Sequence, residues 1–545
     1  MLQIIPKPVK AKEKEGTFYW KAETSVSFDS CFRETKPFWA AQIQAVFGTP
    51  LQERENADIQ FCFDAKQPKE GYRLSVQPTG IRVFASTHVG ALYAIQTLRQ
   101  IGQFDVQKTP TLVEIPAAEI VDYPRYAWRG QMLDCSRHFF SIAEIKRLLD
   151  LMLLHKLNVF HWHLTDDQGW RLEIKQFPLL TEIGSKRKDT QKSGWSQKKF
   201  ELENKPCEGF YTQEEVRDVV EYARLRGIMI VPELDMPAHF AAAEAAYPYL
   251  ACREIQSEVF WWCSAAIPEQ ALGYKDNSWN RPACLGKDST YQFIFAVLDE
   301  VCDLFPAPYF HIGGDEAPTD EWEKCPVCQA KMREEGLSSP RALQGYFTNR
   351  VRAYLETKGK RIIGWNEVLD SPNLDRSVIG QYWTNTRSKA AERHVKNGGD
   401  IILSRHLAFY FDYPHCEVRL PYTYRFEPKR CGVRKKDENR VLGVEAELWT
   451  EFVPDVQKLD FNLFPRMAAV SETAWTPKKQ KNFKDFAARL PRYIESLEAL
   501  GVNYAPPAYI LQKRHKTYAR LMHAFYHNNP LLEMEEGMQF KAQKK

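Results

Sequence analysis

The sequence predicts a (β/α)8 barrel preceded by a small α+β domain. Short apolar runs alternate with amphipathic segments over most of the chain, eight such runs can be counted, and the pattern before about residue 120 is different. The expected domains are 1–122 (α+β), 123–505 (barrel) and 506–545 (a C-terminal helical extension). A chain of 545 residues exceeds one average domain, so more than one folding unit is expected from length alone.

The first 120 residues combine short alternating strands with one helix. Residues 72–76 and 81–84 flank Pro78-Thr79-Gly80, which predicts a hairpin. From 88 to 99 the apolar residues recur at helical spacing. The pattern changes after residues 122–125, which are therefore the expected joint between the two domains.

Eight apolar runs support the barrel prediction. They lie at 128–133, 159–164, 228–233, 309–312, 362–365, 377–383, 400–403 and 441–448. Helical patterns separate most of them: one follows Ser141, and another begins with a capping box of Thr212 and Glu215 and ends before Gly227. Long insertions at about 237–288 and 405–440 follow the third and seventh runs, on the barrel face where active sites are built.

Composition sets broad limits on function. Lys and Arg total 74 against 70 Asp and Glu, a net charge of +4, so neither nucleic acid nor a membrane surface is expected as a partner. The N-terminus lacks the apolar segment of a secretory signal and no run is long enough to span a bilayer, which predicts a cytoplasmic location, or export if a signal was trimmed. The twelve cysteines are then expected to be reduced.

Cys325 and Cys328 have the spacing of metal or redox sites. No second pair of cysteines or histidines is evident nearby in the sequence, so a zinc or redox role and plain structural thiols both stay open. No cofactor and no catalytic metal are expected.

Asp315 and Glu316 follow an apolar run and two glycines, Gly313 and Gly314, which let the backbone leave a strand at unusual angles. A carboxylate doublet at a strand end indicates acid chemistry. Adjacent residues, however, cannot easily flank a glycosidic bond at the roughly 5 to 9.5 Å separation of the usual two-carboxylate mechanisms. One carboxylate could act as acid while the nucleophile comes from elsewhere; the alternative is an acidic turn or helix N-terminus.

Polar and aromatic residues follow all eight predicted strands. In chain order they include Arg137, Asp166, His239, the doublet, Trp365, Trp383, Tyr410 with Asp412, and Trp449 with Glu451. The carboxyl ends of barrel strands meet at one face, so these side chains are expected to line a single site.

The set resembles glycoside hydrolase family 20, the β-N-acetylhexosaminidases, over nearly the whole chain. Residues 311–316 (HIGGDE) match the catalytic signature of that family and residues 161–168 (HWHLTDDQ) a second signature. One departure is Ala238, where the family commonly has glycine. The resemblance implies exo-acting, retaining hydrolysis of terminal β-linked N-acetylglucosamine or N-acetylgalactosamine from a glycan, with the substrate's own 2-acetamido oxygen as nucleophile and an oxazolinium intermediate.

The resemblance also implies roles for the residues that match. Glu316 would be the general acid and then the base, Asp315 would orient the acetamido N–H, and Tyr410 would donate to the acetamido oxygen. Three tryptophans would wall the pocket: Trp365, Trp383 and Trp449. The sugar hydroxyls would be held by Arg137, Asp166 and Glu451 at O3 and O4 and by Asp412 near O4 and O6. His239 and Asp235 would support the acid, and the alternative for His239 is a buried histidine with its hydrogen bonds satisfied. Alignment alone favours Asp166 over Asp167.

Two other functions stay open. His161 and His163 lie on one face of a strand, as in metal-dependent barrel hydrolases, although Trp365 and Trp383 stand where further histidines would be needed. A non-catalytic glycan-binding protein on this fold is the second; the doublet argues against it, because binding alone needs no general acid. The sequence determines neither the preferred sugar nor the oligomeric state. Trp261, Trp262 and Trp279 are expected either to build a further subsite or to pack the insertion.

Overall fold

The computed structural model describes residues 2–47, 50, 52–104, 112–192, 202–254, 258–261, 281–384, 389–512, 517–529 and 531–543. Of the insertion tryptophans, Trp261 is buried, whereas Trp262 and Trp279 lie outside the described residues. No helix in the described part of the chain combines the length and the apolarity needed to cross a bilayer.

A mixed seven-stranded sheet comes first. Its strands are β1 (Lys10–Lys21), β2 (Ser25–Phe28), β3 (Gln52–Glu53), β4 (Ile59–Phe63), β5 (Tyr72–Gln77), β6 (Gly80–Ala85) and β7 (Leu112–Asp122), in the spatial order β1-β7-β5-β6-β4-β2-β3. The hairpin prediction is correct, since β5 and β6 pair antiparallel. The predicted helix spans His88–Gly102, begins at the N-cap Thr87 and buries its apolar residues against this sheet. A 3-10 helix, Ser30–Thr35, and a helix, Lys36–Phe47, complete the unit.

Eight parallel strands then close a barrel. They are β8 (Trp128–Asp134), β9 (Val159–Asp166), β13 (Met229–Leu234), β14 (Tyr309–His311), β15 (Arg361–Trp365), β16 (Ile379–Tyr382), β17 (Ile401–Leu403) and β18 (Val441–Ala446). Each strand pairs with the next, and β18 pairs with β8. The remaining strands are short: β10 (Gly169–Trp170), β11 (Lys186–Arg187) and β12 (Cys207–Glu208). Every predicted run contains one of the eight strands or overlaps most of it, so the barrel prediction is confirmed.

Helices follow the barrel strands. Those up to β15 are Ile142–Leu154, Leu179–Glu182, Gln213–Arg224, Ala241–Ala246, Asp288–Leu304, Asp320–Lys324, Pro326–Glu334 and Pro340–Thr357. Those after it are Ala390–Lys396, His406–Phe409, Leu420–Tyr424, Val456–Leu463, Arg466–Trp475 and Phe483–Ala499, with 3-10 turns at Pro248–Leu250, Asn366–Asp370, Pro428–Cys431, Lys435–Arg440 and Lys478–Gln480. The capping box predicted at Thr212 and Glu215 is present, and Ser141 with Glu144 forms another.

The C-terminal residues are helical and pack on the barrel. The elements are Pro507–Ile510, Tyr518–His523, a π-helical turn at Ala524–Asn528, and Leu532–Ala542. The backbone N–H of His415 donates to Glu533 Oε1 at 2.6 Å. This contact joins the last helix to the insertion that follows β17.

A buried ion pair joins the first sheet to the barrel. Nζ of Lys156 lies 2.8 Å from Oδ2 of Asp122 at the end of β7, and both side chains are fully buried. The other carboxylate oxygen of Asp122 accepts from Nε1 of Trp475 at 2.8 Å. Because burial of a charge is costly unless it is paired, this contact fixes where the two units meet.

The barrel interior changes from apolar to polar along its axis. Near the amino ends of the strands an apolar layer is formed by Trp128, Val159, Val231, Ile363, Ile379 and Ile402. One step nearer the carboxyl ends, charged groups such as His161, Glu233 and Glu445 fill the interior. The polar layer supports the face on which the predicted site residues lie.

Candidate active site

Aromatic side chains form a cup at the carboxyl ends of the strands. Trp365, Trp449 and Tyr410 are buried in one cluster, against which Trp383 packs. The rings of Trp365 and Trp449 are 5.8 Å apart, and those of Trp383 and Tyr410 are stacked at 5.9 Å with an interplanar angle of 20°. The structure therefore brings together aromatic residues from the ends of four different strands.

The glycines before the doublet shape its backbone. Gly313 and Gly314 have φ of 67° and 90°, in the left-handed region that glycine occupies without strain. The N–H of Gly314 donates to Asp235 Oδ1 at 3.1 Å. A Cβ atom on Gly313 would lie 1.7 Å from that oxygen. The chain can thus turn here only because these positions carry no side chain.

The two carboxylates of the doublet have different surroundings. The side chain of Asp315 is 13% exposed, whereas that of Glu316, whose φ is 46°, is 54% exposed. Oδ1 of Asp315 is buried without a hydrogen-bond partner among the described residues. Burial raises the pKa of Asp315 to about 6, with Glu316 adding to the shift and His239 opposing it. Adjacent positions in the sequence therefore supply one enclosed and one accessible carboxylate.

His239 lies between the doublet and the end of β9. Its Nε2 is 3.9 Å from Asp315 Oδ2 and 3.7 Å from Glu316 Oε2. Its Nδ1 is 3.2 Å from Asp166 Oδ1 and 3.6 Å from Asp167 Oδ2. Burial opposes a charge on this ring, but the carboxylate of Asp166 outweighs it and holds the pKa of His239 well above its usual range. An imidazolium therefore faces the doublet.

Arg137 contacts the carboxylate oxygen of Asp166 that is not the one near His239. Its guanidinium lies 2.9 Å from Asp166 Oδ2 and 3.1 Å from Asp134 Oδ2, and 5.0 Å from the centre of the Trp449 ring. Burial opposes ionisation of Asp166, yet Arg137 and His239 hold its pKa below the usual range. The side chain of Asp167 has another task, because its Oδ1 accepts from the N–H of Ala241 at 3.0 Å. The structure thus gives Asp166 and Asp167 different contacts, a distinction that the sequence did not show.

Glu451 and Asp412 are two further buried carboxyl groups that the charge of Arg137 influences. Burial raises the pKa of Glu451 to about 7, opposed by Arg137. Burial also raises the pKa of Asp412 well above its usual value, and the charge of Glu451 adds to the effect. Oδ1 of Asp412 is buried with no hydrogen-bond partner in the described part of the chain. Such carboxyl groups can exchange hydrogen bonds with hydroxyls of a bound ligand.

The backbone of Tyr410 pairs with the residue that follows β18, so its position is fixed. It forms a parallel bridge with Glu447, and the N–H of Phe411 donates to Glu447 O at 2.8 Å. Burial raises the pKa of Tyr410 well above its usual value, with the charge of Glu447 adding to the shift. The phenol is therefore a hydrogen-bond donor at neutral pH.

Sequence reasoning gave Glu367 no role. Nε1 of Trp383 donates to its Oε2 at 2.8 Å, which orients that indole. Burial and the charge of Asp315 raise the pKa of Glu367 to about 8. Its position directly after β15 was visible in the sequence, but nothing there indicated that it contacts Trp383.

Glu233 was also missed, although a glutamate inside an apolar run was an available signal. Its Oε1 accepts from Nε1 of Trp365 at 2.9 Å, and His161 Nε2 lies 3.0 Å from its Oε2. Nδ1 of His163 contacts the same carboxylate, while Nε2 lies 2.9 Å from Asp166. Both imidazoles thus pair with carboxylates below the aromatic cup and position its floor. Such groups can also bind a metal, but the polar contacts they make already orient Trp365 and Asp166.

Comparison with protein families identifies two matches. A model described as "Glycosyl hydrolase family 20, catalytic domain" matches residues 126–478, and one described as "Glycosyl hydrolase family 20, domain 2" matches residues 1–123. Together they cover most of the chain.

Individual relatives agree with these matches. A "Beta-hexosaminidase" of Porphyromonas gingivalis is 36% identical over 533 residues, which is 93% of this chain and 64% of that protein. The chain thus spans less than two thirds of the length of that relative. A GH20 exo-β-N-acetylglucosaminidase from Vibrio harveyi, solved in complex with N-acetylglucosamine, superposes with a TM-score of 0.79 at 30% identity, covering 93% of this chain and 78% of that one. A β-N-acetylhexosaminidase from Bacteroides fragilis superposes with a TM-score of 0.78 at 31% identity, covering 92% of this chain and 97% of that one.

Proposed function

The chain belongs to glycosyl hydrolase family 20, as the motifs at 161–168 and 311–316 predicted, and from that premise we propose that it is an exo-acting β-N-acetylhexosaminidase. It would release terminal, non-reducing, β-linked N-acetylglucosamine or N-acetylgalactosamine from a glycan, with retention of configuration. The observation that carries the proposal is the division of the doublet into an enclosed Asp315, one oxygen of which has no hydrogen-bond partner among the described residues, and an accessible Glu316. Two adjacent carboxylates in different surroundings suit two different tasks.

In the first step Glu316 donates a proton to the glycosidic oxygen. The carbonyl oxygen of the substrate's 2-acetamido group attacks C1, the bond from C1 to the glycosidic oxygen breaks, and the aglycone leaves as an alcohol. The ring formed is an oxazolinium, and its positive charge lies beside the acetamido N–H. Asp315, as a carboxylate, accepts a hydrogen bond from that N–H and offsets the charge in a site from which the aromatic cup excludes water.

In the second step Glu316 accepts a proton from water, whose oxygen attacks C1 and opens the oxazolinium. The 2-acetamido group is regenerated, and two inversions at C1 give retention overall. The accessible position of Glu316 fits both steps, because leaving group and water must reach it from outside. Tyr410, which remains protonated, donates to the acetamido oxygen and places it for attack.

The remaining residues fix the sugar ring. Trp365, Trp383 and Trp449 offer apolar faces to the ring and the acetamido methyl group. Arg137 and the carboxylates of Asp166 and Glu451 are arranged to bind vicinal hydroxyls by charge-assisted hydrogen bonds. Hydroxyls at O3 and O4 that are held in this way must carry no further sugar, which is why the proposal specifies exo action.

The test compares two aryl β-glycosides that differ only in the 2-acetamido group. The N-acetyl-β-glucosaminide should be hydrolysed and the plain β-glucoside should be hydrolysed at least about 10³-fold more slowly, since an intramolecular nucleophile contributes a large effective molarity. Because an aryl leaving group needs little protonation, the double variant Asp315→Asn/Glu316→Gln measures the background for both. Comparable hydrolysis of the two glycosides would require an enzymic nucleophile and would overturn the mechanism. Tight binding of N-acetylglucosamine without turnover would favour the non-catalytic alternative.

A further inference from the structure

Four cysteines meet beside the barrel, outside the sugar site. Cys252 and Cys284 belong to the insertion that follows β13, and Cys325 and Cys328 stand at the helices that follow the doublet. The sulfur of Cys284 lies 3.9 Å from that of Cys325 and 3.6 Å from that of Cys328, and the sulfurs of Cys252 and Cys328 are 3.8 Å apart. The four sulfurs all lie within 4.8 Å of one another.

These separations match the edges of a metal-centred tetrahedron. With zinc–sulfur bonds of about 2.3 Å, neighbouring sulfurs in a tetrahedral site are about 3.8 Å apart. A disulfide needs sulfurs at about 2.05 Å, and the three measured distances are all much longer. Four thiols pointing at a common centre are otherwise poor partners, because each is only a weak donor and a weak acceptor.

The backbone around the cluster is also built for close approach. A Cβ atom on Gly286 would lie 2.5 Å from the carbonyl of Val327 and 2.6 Å from the backbone nitrogen of Cys328. The segment that carries Cys284 therefore packs backbone to backbone against the segment that carries Cys328.

We propose that Cys252, Cys284, Cys325 and Cys328 bind one zinc ion as four thiolate ligands. Four protein ligands fill the tetrahedron and leave no position for water or substrate, so the site is structural rather than catalytic. The spacing of Cys325 and Cys328 is the metal-site signature that the sequence showed. Cys252 and Cys284 form the second pair of ligands, which the sequence did not reveal because it lies 41 or more residues before the first pair.

The site would tie together the two segments that carry the acid machinery. The insertion begins beside His239, and the helices Asp320–Lys324 and Pro326–Glu334 begin just after Glu316. A metal that crosslinks them restricts the unfolded chain and holds both strand ends in register. Removal of zinc is therefore expected to lower the unfolding midpoint first and to reduce activity only as a consequence.

The first experiment measures metal content, independently of activity. Wild-type protein purified under reducing conditions without chelator should contain about one zinc per chain by elemental mass spectrometry. The double variant Cys325→Ser/Cys328→Ser should contain less than about a tenth of that amount. Cys302→Ser changes a cysteine outside the cluster and should retain the full zinc content, which controls for adventitious binding to thiols.

A second measurement on unaltered protein guards against a variant that fails to fold. Zinc-depleted wild-type protein refilled with Co²⁺ should show the intense visible absorption of a tetrahedral four-thiolate site, at one equivalent. Zinc-free wild-type protein with twelve reduced thiols would overturn the proposal. So would an intact mass four hydrogens lower, which would identify the cluster as two disulfides. Neither result bears on the glycosidase proposal, because no activity is measured.

Discussion

Nε2 of His239 lies 3.9 Å from Oδ2 of Asp315, so an imidazolium faces the enclosed carboxylate of the doublet. Burial raises the pKa of Asp315 to about 6, and His239 keeps the value from rising further. The same ring is held in its charged form by Asp166 on its other side. The ionisation of Asp315 is thus controlled by a residue from a different strand end.

The first prediction concerns the acidic limb of the pH profile. Asp315 must be ionised to offset the oxazolinium charge, and its raised pKa means that protonation begins near neutral pH. The ratio kcat/KM should therefore fall by about tenfold per pH unit below about 6. In Asp315→Asn the overall rate should be much lower and this limb should disappear. If the fall of kcat/KM below about pH 6 persisted unchanged in Asp315→Asn, another group would be responsible for it.

Replacement of His239 should move that limb. His239→Gln removes the positive charge that favours the Asp315 carboxylate, so the pKa of Asp315 should rise and the limb should shift to higher pH. The measurement is kcat/KM against pH for the two proteins. His523→Gln, a change of an exposed histidine in the C-terminal helix Tyr518–His523, should leave the profile as in the wild type. A purely structural role for His239 would lower the rate at every pH without a shift.

The general acid can be tested through the leaving group. Glu316→Gln should lower kcat/KM, which reports the first step and not the later attack of water, by about 10²- to 10⁴-fold on a substrate with a sugar aglycone, which needs protonation to leave. With an acidic phenol as leaving group the first step should be much less affected. Glu323→Gln changes an exposed glutamate in the next helix and should be neutral. Equal losses with both leaving groups would argue against proton donation by Glu316.

Gly313→Ala should be strongly unfavourable. The new Cβ would meet Oδ1 of Asp235 at 1.7 Å, at a φ of +67° that alanine tolerates poorly. We expect a loss of at least about 2 kcal/mol in unfolding free energy together with a large loss of kcat, because the doublet must shift. Gly336→Ala is the matched control. Its φ is +61°, but no atom of the described part of the chain would lie within 4 Å of the new Cβ, so only backbone strain of about 1 kcal/mol and unchanged kcat are expected. Equal effects in both variants would contradict the steric argument.

The buried ion pair of Asp122 and Lys156 should contribute more to the free energy of unfolding than an exposed ion pair does. Asp122→Asn leaves the buried Lys156 without its anionic partner and should cost about 3 to 5 kcal/mol in urea unfolding. Asp218→Asn breaks an ion pair with Lys146 in which the carboxylate is 60% exposed, and should cost less than about 1 kcal/mol. Adding Lys156→Met to Asp122→Asn should recover part of the loss, since it removes the uncompensated charge.

Local patterns made much of the fold predictable. The eight barrel strands, the hairpin of β5 and β6 and the helix His88–Gly102 all lie where apolar spacing placed them. The capping box at Thr212 and Glu215 was also readable, because its hydrogen bonds join residues only three apart. The ends of the strands were predicted less accurately than the strands themselves: β13 starts at Met229 rather than at residue 228, and β16 is shorter than predicted. Strand ends depend on pairing with neighbours that sequence spacing does not specify.

The contacts of the site were not readable in the same way. The sequence placed Arg137, Asp166 and His239 at strand ends. It did not indicate that Arg137 and His239 both contact the carboxylate of Asp166. Glu233 and Glu367 had no assigned role, because their partners Trp365 and Trp383 come from other strands.

By itself the sequence determined the barrel, the family and the residues at each strand end, because these follow from periodicity and from short contiguous motifs. Tertiary structure alone decided that Asp315 is enclosed while Glu316 is accessible, that Asp166 rather than Asp167 pairs with Arg137, and that Cys252 and Cys284 join Cys325 and Cys328. Burial, charge and sulfur-to-sulfur distance depend on groups that are far apart in the chain, and only closure of the barrel brings those groups together.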